Sequence, residues 1–367
     1  MTKYKFDEIA INSTQKKKPT EEDKVYYIGL EHIDPGCFDV VRWGSNVAPT
    51  GDKLLMQKGD VLFGKRRAYQ RKVAIAPFDG IFSAHGMVLR PNLKVIDANY
   101  FPFFISSDKF METAVRISVG GLSPTINWKD LARQEFELPS LDEQKVLADK
   151  LWAAYRLKEA YKKLLVATDE MVKSQFIEMF QDSPLVRLGD HIETQSGGTP
   201  NTKKGEYYDG GTIPWLSSGE VNLGYISSTE KYITEEGLEN SAAKWVPKNS
   251  VVIAMYGATA GKVGFITIPL TTNQAVCALL PNDAFNPLYL YYAVSSKKDW
   301  MIAQCRGAAQ PNISQGIIRS MKIPMPSLSE QIQFVNVIKQ ADKSKSVIQK
   351  ALVYLNDIQS DELGKIA

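Results

Sequence analysis

Cysteine is scarce in this chain, with three residues, Cys37, Cys277 and Cys305, among 367. Their spacing matches neither a disulfide framework nor a zinc site, which is typical of proteins of a reducing cytoplasm, where we expect this chain to act. Apolar runs are short as well, since none approaches the ~18 residues of a membrane-spanning helix. The first residues lack the apolar segment of a signal peptide. We therefore expect neither secretion nor a membrane partner.

Motifs of the common catalytic sites are also missing. The chain has no Gly-x-x-x-x-Gly-Lys-Ser/Thr phosphate loop, no Gly-x-Ser-x-Gly turn, and no histidines at metal-ligand spacing. The segment Asn286-Pro-Leu-Tyr289 resembles the Asn-Pro-Pro-Tyr of adenine methyltransferases. Its leucine departs from that motif, and no glycine-rich cofactor loop accompanies it. The sequence therefore predicts a chain that is not an enzyme and holds no metal or cofactor of its own.

What the chain does contain is an internal repeat at an offset of 187 residues. Gly120-Gly-Leu-Ser-Pro-Thr-Ile-Asn aligns with Gly307-Ala-Ala-Gln-Pro-Asn-Ile-Ser, and Leu138-Pro-Ser-Leu-Asp-Glu-Gln aligns with Met325-Pro-Ser-Leu-Ser-Glu-Gln. The two blocks are equally spaced in both copies. Further upstream the offset drifts to 189 or 190, which indicates small insertions in loops. The pattern predicts two copies of one domain.

A long helix is predicted at the end of each copy. Ser140 and Ser327 are candidate N-caps, and Glu143 and Glu330 follow three residues later, as a capping box requires. Positions with 4-3 spacing come next, and seven of ten are apolar in each helix, which is typical of a coiled-coil seam. The predicted seam positions are Leu147, Leu151, Ala154, Lys158, Tyr161, Leu165, Thr168, Val172, Gln175 and Met179 in the first helix, and Phe334, Ile338, Ala341, Lys345, Ile348, Leu352, Leu355, Gln359, Glu362 and Ile366 in the second.

Two matching seams in one chain predict that the helices pair with each other. The alternative is that each helix packs only on its own domain. Short runs rich in branched residues, bounded by Gly, Pro and Asp, predict strands at 60–64, 73–76, 250–255 and 263–268, with helices at 99–109 and 286–299. The fold class is therefore predicted as α+β, with two pseudo-two-fold related mixed α/β domains separated by two long helices that pair as an antiparallel coiled coil.

One loop carries a strong local charge. The net charge is only +3, so composition alone does not argue for nucleic acid. Gly64-Lys-Arg-Arg-Ala-Tyr-Gln-Arg-Lys72, however, places five cations and one aromatic residue between two predicted strands. Five cations on one loop repel each other unless a polyanion neutralises them, and arginine suits guanine edges and phosphates. We interpret this basic loop as a DNA contact, with a solvated hairpin tip as the alternative.

The second copy has a less charged counterpart of the basic loop, Met255-Tyr-Gly-Ala-Thr-Ala-Gly-Lys262. Both loops end in lysine followed by valine. For this second loop a DNA contact and a solvated hairpin tip are about equally compatible with the sequence. A further basic run, Lys16-Lys-Lys18, is interpreted as a flexible solvated loop.

Taken together, these blocks resemble the specificity subunits of type I restriction-modification enzymes, and the resemblance covers essentially the whole chain. Copy one matches less well, at Tyr27-Ile-Gly-Leu-Glu-His-Ile33 and Ser83-Ala-His-Gly86. The most specific pieces lie in copy two and are Ser196-Gly-Gly-Thr-Pro200, Ile213-Pro-Trp-Leu-Ser-Ser-Gly-Glu220, Tyr256-Gly-Ala-Thr259, Thr272-Asn-Gln274 and Gln310-Pro-Asn-Ile313.

The resemblance implies two target recognition domains, each reading one half of a bipartite, asymmetric site on double-stranded DNA. It places them at residues 1–141 and 184–328, with a central conserved helical region at 142–183 and a C-terminal one at 329–367. It also implies methyltransferase subunits, expected to number two, and restriction subunits, also expected to number two. S-adenosylmethionine, ATP and magnesium are then expected on those partners. A coiled-coil scaffold for proteins, without DNA readout, is the main alternative function, and an enzyme, as a fused nuclease or methyltransferase, is the second.

Residue by residue, the sequence predicts two sets of contacts. The predicted DNA-binding residues are Lys65, Arg66, Arg67, Tyr69, Arg71, Lys72, Thr199, Tyr256, Thr259 and Lys262. The predicted partner-binding residues are apolar residues expected to face outward from the helices, namely Trp152, Leu157, Phe176 and Val353.

Overall fold

The computed structural model describes residues 1–221, 224–305 and 312–364. The chain divides into two compact units. Met1–Lys163 and the chain from Ile348 onward form unit 1, and Leu164–Val347 forms unit 2. Each unit therefore contains one copy of the repeated domain together with part of each long helix.

The strands of unit 1 form two four-stranded sheets and one strand pair. They are β1 (Thr2–Lys5), β2 (Ala10–Ser13), β3 (Lys16–Lys17), β4 (Tyr27–Ile28), β5 (Lys53–Met56), β6 (Val61–Phe63), β7 (Val73–Ile75), β8 (Gly80–Phe82), β9 (Met87–Pro91) and β10 (Glu135–Leu138). The first sheet has the order β2-β9-β6-β7 and the second the order β3-β5-β8-β4, while β1 pairs with β10. The predicted strands at 60–64 and 73–76 are thus confirmed as β6 and β7.

Helices cover the core of unit 1. They are α1 (Phe6–Ile9), α2 (Phe101–Ser106), α3 (Asp108–Arg116), α4 (Trp128–Ala132) and the first part of α5 (Leu141–Phe180). The single helix predicted at 99–109 is broken, because Ser107 has an extended conformation and its side chain caps α3 by accepting from Phe110 N–H. Four fully buried or nearly buried rings, Phe6, Phe104, Phe110 and Phe136, pack together under these helices.

Unit 2 repeats this plan with additional strands. Its strands are β11 (Leu185–Arg187), β12 (Thr194–Ser196), β13 (Ile213–Leu216), β14 (Gly224–Ile226), β15 (Lys231–Ile233), β16 (Trp245–Val246), β17 (Val251–Ala254), β18 (Val263–Ile266), β19 (Leu270–Thr272), β20 (Val276–Leu279) and β21 (Lys322–Pro324). Its helices are α6 (Leu188–His191), α7 (Glu235–Glu239), α8 (Pro287–Ser295), α9 (Lys298–Gln304), α10 (Gln315–Ser320) and part of α11 (Leu328–Gly364). The strand orders are β12-β20-β17-β18-β14 and β15-β13-β19-β16, and β11 pairs with β21.

The repeat is visible in the strand register. Val61 lies opposite Leu89 in β6 and β9, and Val251 lies opposite Leu279 in β17 and β20, so both partners are displaced by 190 residues. The predicted strands of copy two are confirmed as β17 and β18. The helix predicted at 286–299 begins at Pro287 as expected but ends at Ser295, before a separate helix α9.

Both long helices form, and they pack antiparallel. In unit 1, Lys158 of α5 donates to Gln359 of α11 at 3.0 Å. In unit 2, Lys345 of α11 lies 3.0 Å from Asp169 of α5. Lys158 precedes Asp169 along α5, whereas their partners Gln359 and Lys345 follow in the reverse order along α11. The two helices therefore run antiparallel. The described seam positions are buried or half-buried, so the predicted seam is confirmed, while Ile366 lies outside the described residues. No helix within the described ranges is long and apolar enough to cross a membrane.

Candidate nucleic-acid interface

The basic loop connects β6 and β7 and has a defined conformation. Gly64 N–H donates to Lys72 O at 2.9 Å and closes the loop. Between them lies one turn of 3₁₀ helix, Ala68–Gln70, flanked by Arg67 and Arg71 at φ values of 55° and 52°. A left-handed conformation costs a non-glycine residue about 1–2 kcal/mol, so surrounding contacts have to hold the loop in place.

Those contacts come from the segment between α3 and α4, which we call the tip loop (Val119–Thr125). Arg67 N–H donates to Pro124 O at 2.7 Å, and Ile126 N–H, in the residue that follows the tip loop, donates to Lys65 O at 3.0 Å. Two further bonds join Val119 and Thr125 to each other and close the tip loop. The basic loop and the tip loop are therefore joined by backbone hydrogen bonds, although they are distant in sequence.

The side chains of Arg66 and Arg67 meet at one hydroxyl. Arg66 Nη2 and Arg67 Nε each donate to Ser123 Oγ at 3.2 Å. Arg66 Nη1 also lies 3.4 Å from His85 Nε2. These partners are neutral and leave the charge of both guanidinium groups uncompensated at these contacts. Arg66 is half-buried, while Arg67 and Tyr69 are exposed and accessible to a ligand.

Arg71 and Lys72 are placed differently from the other cations of the loop. Arg71 forms an ion pair of 2.6 Å with Asp108 and donates to Ser106 O at 2.9 Å. Lys72 Nζ donates to Leu30 O at 2.6 Å. These bonds attach the end of the basic loop to its own domain. The structure thus separates the predicted contact residues into a pair beside the tip loop, Arg66 and Arg67, and two that hold the basic loop.

Further cations influence His85, which lies 3.4 Å from Arg66. Burial lowers the pKa of His85, and the charges of Arg66, Lys65 and Lys53 lower it further. Burial likewise lowers the pKa of Lys65, with a contribution from Lys16. The interpretation of Lys16–Lys18 as a flexible loop was wrong for Lys16 and Lys17, because they form β3 and pair with β5.

Sequence reasoning missed Lys53, His85 and Ser123 as members of this group. Lys53 and His85 are single charged or titratable residues among ordinary neighbours, and only the pairing of β3 with β5 and the turn after β8 brings them near the basic loop. Ser123 stood inside the repeated block that aligned the two copies, but nothing in the sequence connects it with Arg66.

The counterpart loop in unit 2 has the same backbone connections. Ala254 N–H donates to Lys262 O at 2.9 Å, as Gly64 does to Lys72. Ile313 N–H donates to Met255 O at 2.9 Å, as Ile126 does to Lys65. Tyr256 is 42% exposed at the position equivalent to Arg66. Thr259 is half-buried, and its hydroxyl is 3.4 Å from Tyr256 O. The two copies thus share this scaffold while the presented side chains differ.

The Gly-Gly-Thr-Pro segment places Thr199 on the surface of unit 2. A Cβ at Gly197 would lie 1.8 Å from Thr272 O, so only glycine fits there. Trp215 Nε1 donates to Gly198 O at 3.0 Å and fixes the position of Gly198, the residue after Gly197. Thr199 itself is exposed and donates to Gln274 Oε1 at 2.6 Å. The motif Gln310-Pro-Asn-Ile313, which the sequence also singled out, lies partly outside the described residues.

The predicted partner-binding residues divide into two groups. Leu157 and Val353 are 45% and 61% exposed on the helices. Phe176 is 7% exposed and packs 5.3 Å from Phe334, so the expectation that it faces outward was wrong. The same expectation was wrong for Trp152, which is half-buried against Phe103 and donates to Asn99 O at 2.9 Å. Both rings lie on the helix face that packs against a domain, next to the seam.

Within the described ranges no group of three or more His, Cys, Asp or Glu is arranged to hold a metal ion. Cys37, Cys277 and Cys305 are free thiols, and burial raises the pKa of the Cys277 thiol to about 12. A thiol with so high a pKa is a poor nucleophile at neutral pH.

The chain contains two mixed α/β domains, and each is followed by a long helix. Each domain presents one closed loop between equivalent strands. These features define a class of duplicated domain–helix proteins. The family model described as "Type I restriction modification DNA specificity domain" matches residues 3–165 and 181–353. These two matches include most of the chain, so the chain belongs to this family. Each match begins near a domain's first strand and includes part of the helix that follows.

Curated relatives support this membership. The Type I restriction enzyme EcoR124I/EcoR124II specificity subunit of Escherichia coli is 31% identical over 170 residues, which are 45% of this chain and 42% of the relative. The MjaIX specificity subunit of Methanocaldococcus jannaschii is 30% identical over 170 residues, 44% of this chain and 38% of that one. The match thus spans about two-fifths of these relatives. A putative MjaX specificity subunit is 24% identical over 90% of this chain and 85% of its own length.

Solved structures share the fold. A chain from a structure of the type I R-M system matches with a TM-score of 0.63 at 17% identity, covering 100% of this chain and 97% of that chain. The S subunit of a type I restriction-modification system from M. genitalium matches with a TM-score of 0.59 at 17% identity, covering 100% and 95%. The mixed α/β architecture and the helix pair expected from the sequence agree with these folds.

Proposed function

We propose that this chain is the DNA-recognition subunit of a type I restriction-modification complex. Unit 1 reads one half of a bipartite, asymmetric target through its basic loop, and unit 2 reads the other half through the loop containing Tyr256. The chain performs no chemistry itself. This role places it in the cytoplasm, where prokaryotic DNA lies.

The observation that carries the proposal is the cation cluster of unit 1 in a member of this family. Arg66 lies 3.4 Å from the His85 imidazole, and the charges of Arg66, Lys65 and Lys53 lower the pKa of that imidazole. Arg66 and Arg67 both donate to the Ser123 hydroxyl. Such a cluster repels itself in a free protein, and a DNA backbone relieves that repulsion. An arginine held at two points is also suited to the paired acceptors of a guanine edge.

Different loops on matching scaffolds support an asymmetric target. Arg66 and Tyr256 occupy equivalent backbone positions but offer a cation and a phenol, respectively. Two domains placed alike on DNA would therefore read unlike half-sites. The names of the relatives support a complex with methyltransferase and restriction subunits, which we propose to be two of each. S-adenosylmethionine, ATP and magnesium would then bind to those partners.

The test is binding of the purified chain to duplex DNA across a series of salt concentrations. The methylation pattern of cells with and without this gene supplies the target sequence. We expect tighter binding to that target than to an unrelated duplex, and affinity that falls steeply as salt rises. Equal, weak and salt-independent binding to both duplexes contradicts the proposal. Incubation with labelled S-adenosylmethionine, with and without methyltransferase subunits, separates recognition from catalysis.

A scaffold without DNA readout is the second candidate function. It is favoured by exposed apolar residues on the long helices, among them Leu157, Leu164 and Val353. Exposed apolar side chains are typical of protein interfaces where several of them lie together. The two functions differ in the salt series, because a pure scaffold has no reason to prefer the target duplex.

A further inference from the structure

Leu122 occupies the end of the tip loop in unit 1. Its exposed fraction is 97%, compared with 65% for Leu93 on another loop of the same unit. Val119, in the same loop, is 56% exposed. A single exposed leucine is unremarkable in itself. The location of this one, on a closed loop beside Arg66 and Arg67, makes it a candidate contact residue.

The tip loop holds Leu122 in a defined position. Val119 N–H donates to Thr125 O at 3.0 Å, and Thr125 N–H donates to Val119 O at 2.9 Å. Gly120 has φ +113°, a conformation that side-chain-bearing residues rarely adopt. The Thr125 hydroxyl adds a bond of 3.2 Å to Ser123 O inside the loop. Because the backbone is already ordered, a ligand that binds Leu122 restricts little additional conformational freedom.

The same loop holds the arginines. Ser123, the residue after Leu122, accepts hydrogen bonds from both Arg66 and Arg67 at 3.2 Å. Pro124 O accepts from Arg67 N–H. The apolar tip and the two guanidinium groups therefore form one composite surface, which we call the reading head (Arg66, Arg67 and Leu122). A polyanion that approaches the arginines also meets Leu122.

We propose that Leu122 packs against the 5-methyl group of a thymine in the major groove, beside the contacts of Arg66 and Arg67; this rests on the proposed DNA recognition. The thymine methyl is the apolar group that base edges present in that groove, and apolar side chains recognise it by contact. DNA is the occupant, since the neighbouring cations attract a polyanion. This apolar contact thus adds to the base specificity of unit 1, because only thymine presents a methyl group there.

The test measures binding of the full chain to its target duplex after single substitutions. We expect Leu122→Ala to weaken binding about fourfold for each methyl-sized group removed from the interface. Leu93→Ala is the matched control and should bind like the unchanged chain. Leu122→Met, which keeps an apolar side chain of similar length, should retain most of the affinity. Thermal unfolding of each variant checks that the fold is intact.

Thymine-to-uracil substitution in the DNA identifies the contact. One such replacement in the half-site read by unit 1 removes a single methyl group, so it should weaken binding of the unchanged chain about fourfold, and it should weaken binding of the Leu122→Ala variant by a smaller factor. Full affinity of the Leu122→Ala variant overturns the proposal. So does a loss of affinity in that variant that stays the same whichever thymine in the half-site is replaced by uracil. If the unchanged chain shows no salt-sensitive preference for its target, the proposed function fails instead, so the two failures are distinguishable.

Discussion

Gln144 and Gln331 lie 187 residues apart and make the same three hydrogen bonds at the starts of the two long helices. Both side chains are fully buried. The amide of Gln144 donates to Val95 O at 3.0 Å and Pro139 O at 2.9 Å, and its oxygen accepts from Asp97 N–H at 2.8 Å. This one side chain connects the beginning of α5 to the segment that leads into α2.

Gln331 repeats the arrangement at the start of α11. Its amide donates to Ala284 O at 3.2 Å and Pro326 O at 3.1 Å, and its oxygen accepts from Asn286 N–H at 2.7 Å. The last residue of the repeated Pro-Ser-Leu-(Asp/Ser)-Glu-Gln block therefore fixes each helix to its domain. A glutamine is suited to this position because one amide supplies both donors and an acceptor.

Replacing Gln331 by alanine should destabilise unit 2 strongly. The variant leaves two carbonyl groups and one N–H without their partner in a buried site, and each such group costs about 1–3 kcal/mol unless water enters. We expect a decrease of roughly 2–4 kcal/mol in the free energy of unfolding. Denaturant titration followed by circular dichroism measures it.

Gln333→Ala is the matched control for this prediction. Gln333 lies two residues further along α11 and is exposed, so its replacement should change stability by less than about 0.5 kcal/mol. Equal effects of the two substitutions would show that the buried hydrogen bonds do not stabilise the junction.

The capping boxes should make stability sensitive to acid. Ser140 Oγ and N–H hydrogen-bond to Glu143 at 2.8 Å and 2.9 Å, and these bonds lower the pKa of Glu143 below its ordinary value of 4.5. Ser327 lowers the pKa of Glu330 in the same way. Because the folded-state pKa lies below the unfolded value, this stabilisation is complete above pH 4.5 and is lost as pH falls through the lowered folded-state pKa.

A double variant, Glu143→Gln with Glu330→Gln, tests this dependence. Thermal unfolding at about pH 7 should show a lower midpoint for the variant than for the unchanged chain. The difference should shrink as pH falls from about 4.5 to about 3, because the unchanged glutamates then become neutral as well. A difference that stays constant over this range argues that the charge of the two carboxylates has no part in capping.

The arginine pair of the basic loop should determine DNA affinity. Arg66→Ala with Arg67→Ala removes both guanidinium groups, and we expect binding to weaken by about 1–3 kcal/mol for a base contact. If the arginines touch phosphates instead, the slope of log affinity against log salt should fall by about one for each phosphate released. Arg187→Ala, at an exposed arginine of β11 in unit 2, is the control. Unchanged affinity and slope in the double variant would exclude the basic loop from the interface.

Much of the fold followed from local patterns in the sequence. The strands around the basic loop, the helix caps and the seam depend on neighbouring residues or on a regular spacing, so they were predictable. The repeat added long-range information, since equal blocks imply equal folds. The division into two copies therefore required no structural knowledge.

The remaining features depend on contacts between distant segments. Phe176 was expected on an outer face because the seam explained only one side of α5, while a second side packs into the core of unit 2. The Ser123 contact with Arg66 spans 57 residues and has no sequence signature. The ion pair of Arg71 with Asp108 likewise joins residues 37 positions apart and has no sequence signature. Charge in a sequence does not reveal which cations already have partners.

Tyr256 should affect only the half-site read by unit 2. Its exposed ring occupies the position equivalent to Arg66, and one base contact is worth about 1–3 kcal/mol of discrimination. Tyr256→Ala should relax the preference at one half-site, measured with duplexes altered at single base pairs. Tyr232→Ala, at another exposed tyrosine of unit 2, should leave both preferences unchanged. Relaxation at both half-sites would contradict separate reading by the two units.

The exposed apolar residues of the long helices should determine docking of methyltransferase subunits. Leu157 and Val353 are 45% and 61% exposed, and burying a negative charge in an apolar interface is costly. Leu157→Glu and Val353→Glu should each weaken the complex about tenfold or more, or ~1.4 kcal/mol. Leu93→Glu, at an exposed leucine outside the helices, is the control and should leave the complex intact. Copurification of tagged methyltransferase subunits and size-exclusion chromatography give the readout and the number of subunits bound. If both helix variants retain a full complement of partners, docking occurs elsewhere on the chain.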